Sequence, residues 1–172
     1  MGKVIAIIGK KGSGKTTSAI ELIESMEDVY EGSVFIYDSV GEYKQRGVDN
    51  KYQGLLDHEL FIDQASTKYN SIIVCEEAAE YLSLTNKGGR AKFMKMLQTS
   101  RHNNNLVIII FHQIRDLPEW IYGRLDQIWL YKTSDFASTM GRKFSGNEDF
   151  MKVYESVKKN EDEHYFEIFK TT

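Results

Sequence analysis

Val4-Ile5-Ala6-Ile7-Ile8-Gly9-Lys10-Lys11-Gly12-Ser13-Gly14-Lys15-Thr16-Thr17 joins an apolar run to a glycine-rich loop, and its reading decides the fold. Gly9, four intervening residues and then Gly14-Lys15-Thr16 form the Walker A phosphate-binding pattern. Glycines let the backbone turn tightly enough to aim its N–H groups at phosphate oxygens. Lys15 can reach β- and γ-phosphates, and the Thr16 hydroxyl can ligate Mg²⁺. The residues from Gly9 to Thr17, with Lys10, Lys11, Gly12 and Ser13 between the motif positions, are therefore the expected nucleotide cradle. A helical stretch from Gly14 to Met26 follows, and its N-terminal dipole favours an anion at the same place. A strand before and a helix after are the setting the motif requires.

The remaining chain repeats that alternation. Short β-branched runs at Ser33 to Tyr37, Ser71 to Cys75, Leu106 to Phe111 and Gln127 to Tyr131 predict further strands after Lys3 to Ile8. Helices are expected at Glu77 to Leu82, Ala91 to Arg101, Pro118 to Gly123 and Asp149 to Lys158, with a last strand at His164 to Lys170. This pattern specifies a mostly parallel sheet covered on both faces, an α/β class. Asp38 to Asn50 reads as a long functional or mobile loop, and Asn86 to Arg90 as a second flexible segment.

Composition narrows the function classes. The 172 residues are most economically one domain, 1–172, with a net charge of -3 that excludes a globally basic nucleic-acid binder but leaves room for a local basic patch. Cys75 is the sole cysteine, so neither an internal disulfide nor a cysteine zinc site can form. No apolar run approaches membrane-spanning length, and the first one ends in the phosphate loop rather than in a cleavage site. A soluble chain is expected.

Two further segments bear on catalysis. Ser71-Ile72-Ile73-Val74-Cys75-Glu76-Glu77 is a buried apolar strand delivering adjacent carboxylates at its C-terminal edge, a Walker B arrangement. Glu76 is the candidate Mg²⁺ ligand beside Thr16, and Glu77 the group that polarises the attacking water. Glu76 stands where aspartate is commoner. The strand Leu106 to Phe111 ends in His112-Gln113, and Gln113 is the first candidate for a γ-phosphate sensor, with His112 second.

These segments together resemble the FtsK–HerA branch of P-loop ATPases, which includes DNA translocases and viral genome-packaging ATPases. The resemblance rests on the Walker A loop, on Ile36-Tyr37-Asp38-Ser39-Val40-Gly41-Glu42-Tyr43, on Ile73 to Ala78, and on Thr99 to Asn105 running into His112-Gln113. His112 replaces the threonine usual in the family's Thr-Gln pair. The resemblance implies a RecA-like sheet with the sensor strand Leu106 to Phe111 between the Walker A and Walker B strands. It also implies ATP as cofactor, a homo-oligomeric ring (a hexamer is favoured), and double-stranded DNA bound without sequence specificity. Capsid or membrane proteins are possible further partners, and the location implied is cytoplasmic or, for a viral source, host-cytoplasmic or virion-associated. Arg101 matches the family's arginine finger, with Arg115 and Arg124 as fallbacks. Lys87, Arg90, Lys92 and Lys95 concentrate positive charge near paired glycines and are the candidate DNA contacts. Two other classes share the phosphate loop: a small-molecule kinase and a non-hydrolysing nucleotide-dependent assembly factor.

Overall fold

Six hydrophobic residues in a row, Leu106-Val107-Ile108-Ile109-Ile110-Phe111, are all buried and form a strand near the middle of a six-stranded sheet. In the computed structural model the described residues are 2–38, 41–46, 48, 58–79, 82, 87–137, 144 and 146–171. The strands are β1 (Lys3–Ile8), β2 (Val34–Tyr37), β3 (Ile72–Cys75), β4 (Leu106–Phe111), β5 (Gln127–Tyr131) and β6 (Phe166–Lys170). Their order across the sheet is β2-β3-β4-β1-β5-β6. β4 thus separates β1 from β3, the placement the family resemblance implies. Pairing is parallel from β2 through β5, with Ile8 opposite Phe111 and Tyr37 opposite Cys75, so those strands end along one edge. Only β6 runs the other way, with Phe166 opposite Tyr131.

A parallel strand covered on both faces has no polar side, which is why β4 reads as an unbroken apolar run. Alternate residues feed two cores. Ala6, Ile8, Ile109 and Phe111 face one core with Phe61, Phe93 and Leu97. Ile5, Ile7, Ile108 and Ile110 face the other with Ile20 and Ile23. Cys75 is fully buried in the first core, as a small apolar side chain.

The helices are α1 (Lys15–Met26), α2 (Glu42–Gln45), α3 (His58–Ala65), α4 (Lys87–His102), α5 (Glu119–Tyr122) and α6 (Glu148–Lys159). Pro118 precedes α5 as its N-cap, and the Asn147 side chain caps α6 by accepting the Phe150 N–H at 2.9 Å. Three elements depart from expectation, the first being α2, a helix at Glu42–Gln45 inside the loop predicted at Asp38 to Asn50. The flexible segment predicted at Asn86 to Arg90 is instead helical from residue 87, so α4 starts a full turn before Ala91. Tertiary contacts outweigh the helix cost of paired glycines, about 1 kcal/mol each. Gly89 is buried, the Arg90 guanidinium sits 5.0 Å from the centre of the Trp120 ring, and Lys92 pairs with Asp63 of α3 at 3.2 Å. α3 itself was not expected, although Phe61, Ile62 and Ala65 give it a buried stripe at helical spacing.

Of the expected helix Glu77 to Leu82, the described residues Ala78, Ala79 and Leu82 are helical, while residues 80 and 81 lie outside the described set. Also outside it are Ser39 and Val40 of the family signature, residues 47, 49 and 50 of the predicted loop, Asn86, and the side chain of Lys87. Among the described residues, no helix is long and apolar enough to cross a membrane.

Candidate nucleotide-binding site

The loop after β1 is stitched to both neighbouring strands before any ligand is considered. The Gly9 N–H donates to the Phe111 carbonyl at 3.1 Å and the Lys10 N–H to the Lys132 carbonyl at 2.8 Å. A Cβ on Gly9 would lie 2.5 Å from the Tyr131 Cβ and 2.6 Å from the Ser13 Oγ, so no other residue fits that crossing. Gly14 stands at φ 99°, a left-handed conformation that other residues adopt only with strain, and it opens α1. Among the described residues no side chain caps that helix. Its first-turn N–H groups are thus left for an anion.

The loop borders a cleft of about 620 Å³, within the size range of small-molecule sites. Lys15 is buried and folds back to donate to the Lys10 carbonyl at 3.0 Å. Burial holds its ammonium below the ordinary lysine value, against the pull of Glu76, Glu77 and Glu42. The negative charge of a phosphate chain would offset that desolvation and replace the carbonyl as partner.

Opposite Lys15 the acids converge on Thr16. The Thr16 hydroxyl lies 3.2 Å from Glu76 Oε1 and 3.4 Å from Glu42 Oε2. The Tyr43 hydroxyl donates to the same Glu76 oxygen at 2.7 Å from a fully buried ring. Burial pushes the Glu76 carboxyl above its ordinary value; the Tyr43 hydrogen bond opposes this and the Glu77 charge adds to it. Hard oxygen donors around one hydroxyl are the chemistry Mg²⁺ takes when phosphates supply the remaining ligands. Among the described residues no three His, Cys, Asp or Glu side chains form a cage that would hold a metal by themselves.

Glu77 reaches the same cleft through a backbone irregularity. In a straight strand, consecutive side chains point to opposite faces. Glu77 has φ 49°, a left-handed conformation unusual for a non-glycine residue, and with it Glu76 and Glu77 both line the cleft. The His112 Nε2 is 3.0 Å from each Glu77 carboxylate oxygen.

The cleft also holds residues to which sequence reasoning gave no role. Asp38, at the end of β2, accepts the N–H groups of Glu42 and Tyr43 at 3.1 and 3.0 Å, which starts α2 and aims its side chains inward. Arg46 joins Glu42 at 2.8 Å and donates to the Thr17 hydroxyl at 2.8 Å. His164, from the turn before β6, lines the cleft beside Gly14. The signature stretch around Asp38 to Tyr43 carried a signal for the first group; His164 had none.

Several expected residues sit elsewhere. Gln113 is not among the residues lining the cleft; its Oε1 is buried with no hydrogen-bond partner among the described residues, whereas the preceding His112 points in. Arg101 Nη2 bonds the Arg124 carbonyl at 2.7 Å and the Asp126 carboxylate at 3.0 Å. Asp126 in turn accepts the Val4 N–H at 2.7 Å. Arg101 is therefore at the start of β1, and the six residues of that strand, roughly 20 Å, separate it from its own phosphate loop. Arg115 is exposed just past His112, and Arg124 stays beside Arg101. Of the basic candidates on α4, Arg90 covers Trp120, Lys92 faces Asp63 and Glu59, and Lys95 is exposed.

No family model and no curated protein matches the sequence. Solved structures do match in shape. The DNA-packaging ATPase B204 from Sulfolobus turreted icosahedral virus superposes with a TM-score of 0.74 at 20% identity, over 98% of this chain and 92% of that one. The genome-packaging NTPase B204 from Sulfolobus turreted icosahedral virus 2, in complex with ATP-γ-S, gives a TM-score of 0.76 at 18% identity, over 99% and 92%. The same protein with AMPPCP gives 0.74 at 17% identity, over 98% and 92%. Strand order, phosphate loop and these superpositions agree: the chain has the P-loop NTPase fold, with a mostly parallel sheet closed by an antiparallel C-terminal strand.

Proposed function

We propose that this chain hydrolyses ATP with Mg²⁺ and spends the energy on moving double-stranded DNA, as the genome-packaging motor of a virus working in a homo-oligomeric ring. The observation that carries the reading is the pair of carboxylates at the end of β3: Glu76 beside the Thr16 hydroxyl and Glu77 against His112, both lining the phosphate-loop cleft. A small-molecule kinase would set an acceptor alcohol against Glu77 in place of water, and phosphoryl transfer to a nucleoside or sugar without hydrolysis would mark it.

The chain's own groups divide the work. Backbone N–H groups from Gly12 to Thr17 cradle the phosphates, and Lys15 exchanges the Lys10 carbonyl for phosphate oxygens. Thr16, Glu76 and Glu42 would hold Mg²⁺, which would supply charge neutralisation to the phosphates. Glu77 orients the attacking water and takes its proton. His112 fixes the carboxylate of Glu77 and occupies the sensor position at the tip of β4. Gln113, turned away from the cleft, acts from behind it. An arginine from a neighbouring subunit completes the site. Arg115, exposed three residues past the cleft-lining His112, is better placed for that than Arg101, which is committed to Asp126.

The likeness in fold to viral packaging ATPases supports the choice of DNA over a metabolite. Lys95, exposed on α4, then meets phosphates directly, and Arg90 and Lys92 do so by leaving Trp120 and Asp63, which gives a salt-sensitive and sequence-independent contact. The test is steady-state ATPase activity of the wild type and Glu77→Gln, with and without double-stranded DNA. DNA-stimulated turnover that disappears in Glu77→Gln supports the reading. Turnover indifferent to DNA, or unaltered in the variant, refutes it.

A further inference from the structure

β6 is the one strand that runs against its neighbour, and this brings the turn before it to the phosphate-loop edge of the sheet. The turn is internally braced. Asn160 Oδ1 accepts the Asp162 N–H at 2.9 Å and Asp162 Oδ1 accepts the His164 N–H at 2.8 Å. Glu163 then ties it down, paired with Lys10 of the phosphate loop and with Lys132 at 3.0 Å. Those lysines are already joined through the Lys10 N–H and the Lys132 carbonyl. The clasp sets the His164 ring at the rim of the cleft, with Nδ1 3.3 Å from where a Cβ on Gly14 would be.

A nucleoside triphosphate in this cleft has only one sensible direction. Its γ-phosphate belongs with Glu76, Glu77 and His112, so its nucleoside leaves past Gly14 and Thr17, the opposite end of the loop. Among the described residues, the only aromatic side chains lining the cleft are His112 and His164. His112 is held at the acid end by Glu77. A nucleobase is a flat apolar disc whose two faces seek π-surfaces or cations. The geometry points to His164 as the platform on which the base of the bound nucleotide stacks, held in place by the Glu163 clasp on Lys10 and Lys132. The inference deepens the nucleotide reading above and rests on it. It assigns a binding role to the C-terminal turn, which has no part in the phosphate chemistry.

The experiment is calorimetric binding of a non-hydrolysable ATP analogue and of inorganic tripolyphosphate, each with Mg²⁺, to the wild type, His164→Ala and His164→Phe. His164→Ala should weaken the analogue about tenfold, equivalent to about 1.4 kcal/mol, and leave tripolyphosphate unchanged. His164→Phe, which keeps a ring and loses the nitrogens, should restore most of the affinity. Unchanged affinity for the analogue in His164→Ala overturns the proposal, and so does an equal loss for tripolyphosphate, which would place the ring on phosphate. Failure of the phenylalanine variant to recover binding overturns stacking. A wild type that binds neither probe overturns the nucleotide reading itself, a result separable from all of these.

Discussion

The Nε2 of His112 lies 3.0 Å from both carboxylate oxygens of Glu77, while the backbone of Glu77 is held at φ 49°. Strain and alignment meet at one residue, as expected where a chain has been bent for chemistry rather than stability. Glu77→Gln should bind Mg-ATP normally and lose about 10²–10⁴-fold in kcat, the usual worth of a positioned base. His112→Ala should lower kcat with little change in KM, because it releases the carboxylate without touching the phosphate cradle.

The same geometry separates activity from stability. Glycine adopts a positive φ freely, so Glu77→Gly should be inactive yet gain up to about 1 kcal/mol in stability, the relief of left-handed strain less the added freedom of the unfolded chain. Urea denaturation without nucleotide measures it.

Tyr43 connects the signature stretch after β2 to Glu76, the proposed Mg²⁺ ligand. Tyr43→Phe keeps the buried ring and removes the 2.7 Å hydrogen bond to Glu76. A hydrogen bond to a charged group contributes about 1.5–3 kcal/mol, and the variant should lose stability on that scale. Its Mg²⁺ dependence of ATP binding should also shift to higher Mg²⁺ concentrations, which a titration at fixed nucleotide reads.

Arg101 and Arg115 make opposite forecasts. Arg101→Ala breaks the pair with Asp126 inside one subunit and should cost about 1–3 kcal/mol in denaturant unfolding. Arg115→Ala should unfold within about 0.5 kcal/mol of the wild type, as an exposed substitution does, and lose about 10³-fold or more of assembled turnover. Mixing Arg115→Ala with Glu77→Gln subunits should recover part of that turnover, since each then supplies what the other lacks. No recovery on mixing would exclude a finger acting between subunits at this position.

Hydrogen bonds from Lys10 and then Lys132, together with their charges, hold the Glu163 carboxyl down at about 2. A depressed carboxyl contributes to the docked turn at every pH above its unfolded value near 4.5 and loses that contribution as pH falls toward about 2. The Glu163 side-chain carbonyl signal in carbon NMR should therefore titrate with a midpoint near 2, and near the ordinary value once Lys10 and Lys132 are both alanine.

What could be read from the sequence was what repeats locally. β1, β4 and β5 fall on the predicted residues because a strand buried on both faces must be an unbroken apolar run, and such runs are visible in a linear text. The phosphate loop was equally legible, since its glycines answer to backbone conformation alone. Glycine composition misled at the start of α4, where a buried Gly89 and the Arg90–Trp120 contact build a helix that local propensity disfavours. The tip of β4 shows the limit again: His112 and Gln113 are adjacent polar residues, and only the direction of the strand end decides which one enters the cleft.

The sequence by itself determined the glycine-rich loop from Gly9 to Thr17, the adjacent carboxylates after β3 and an α/β sheet, because each follows from residues close together in the chain. Only the tertiary structure brought Glu42 and Arg46 to the phosphate loop, sent Arg101 to the far edge of the sheet and laid His164 over Gly14. Those relationships depend on how α2, α4 and the reversed β6 pack against the sheet, which is settled by contacts between residues far apart in the chain.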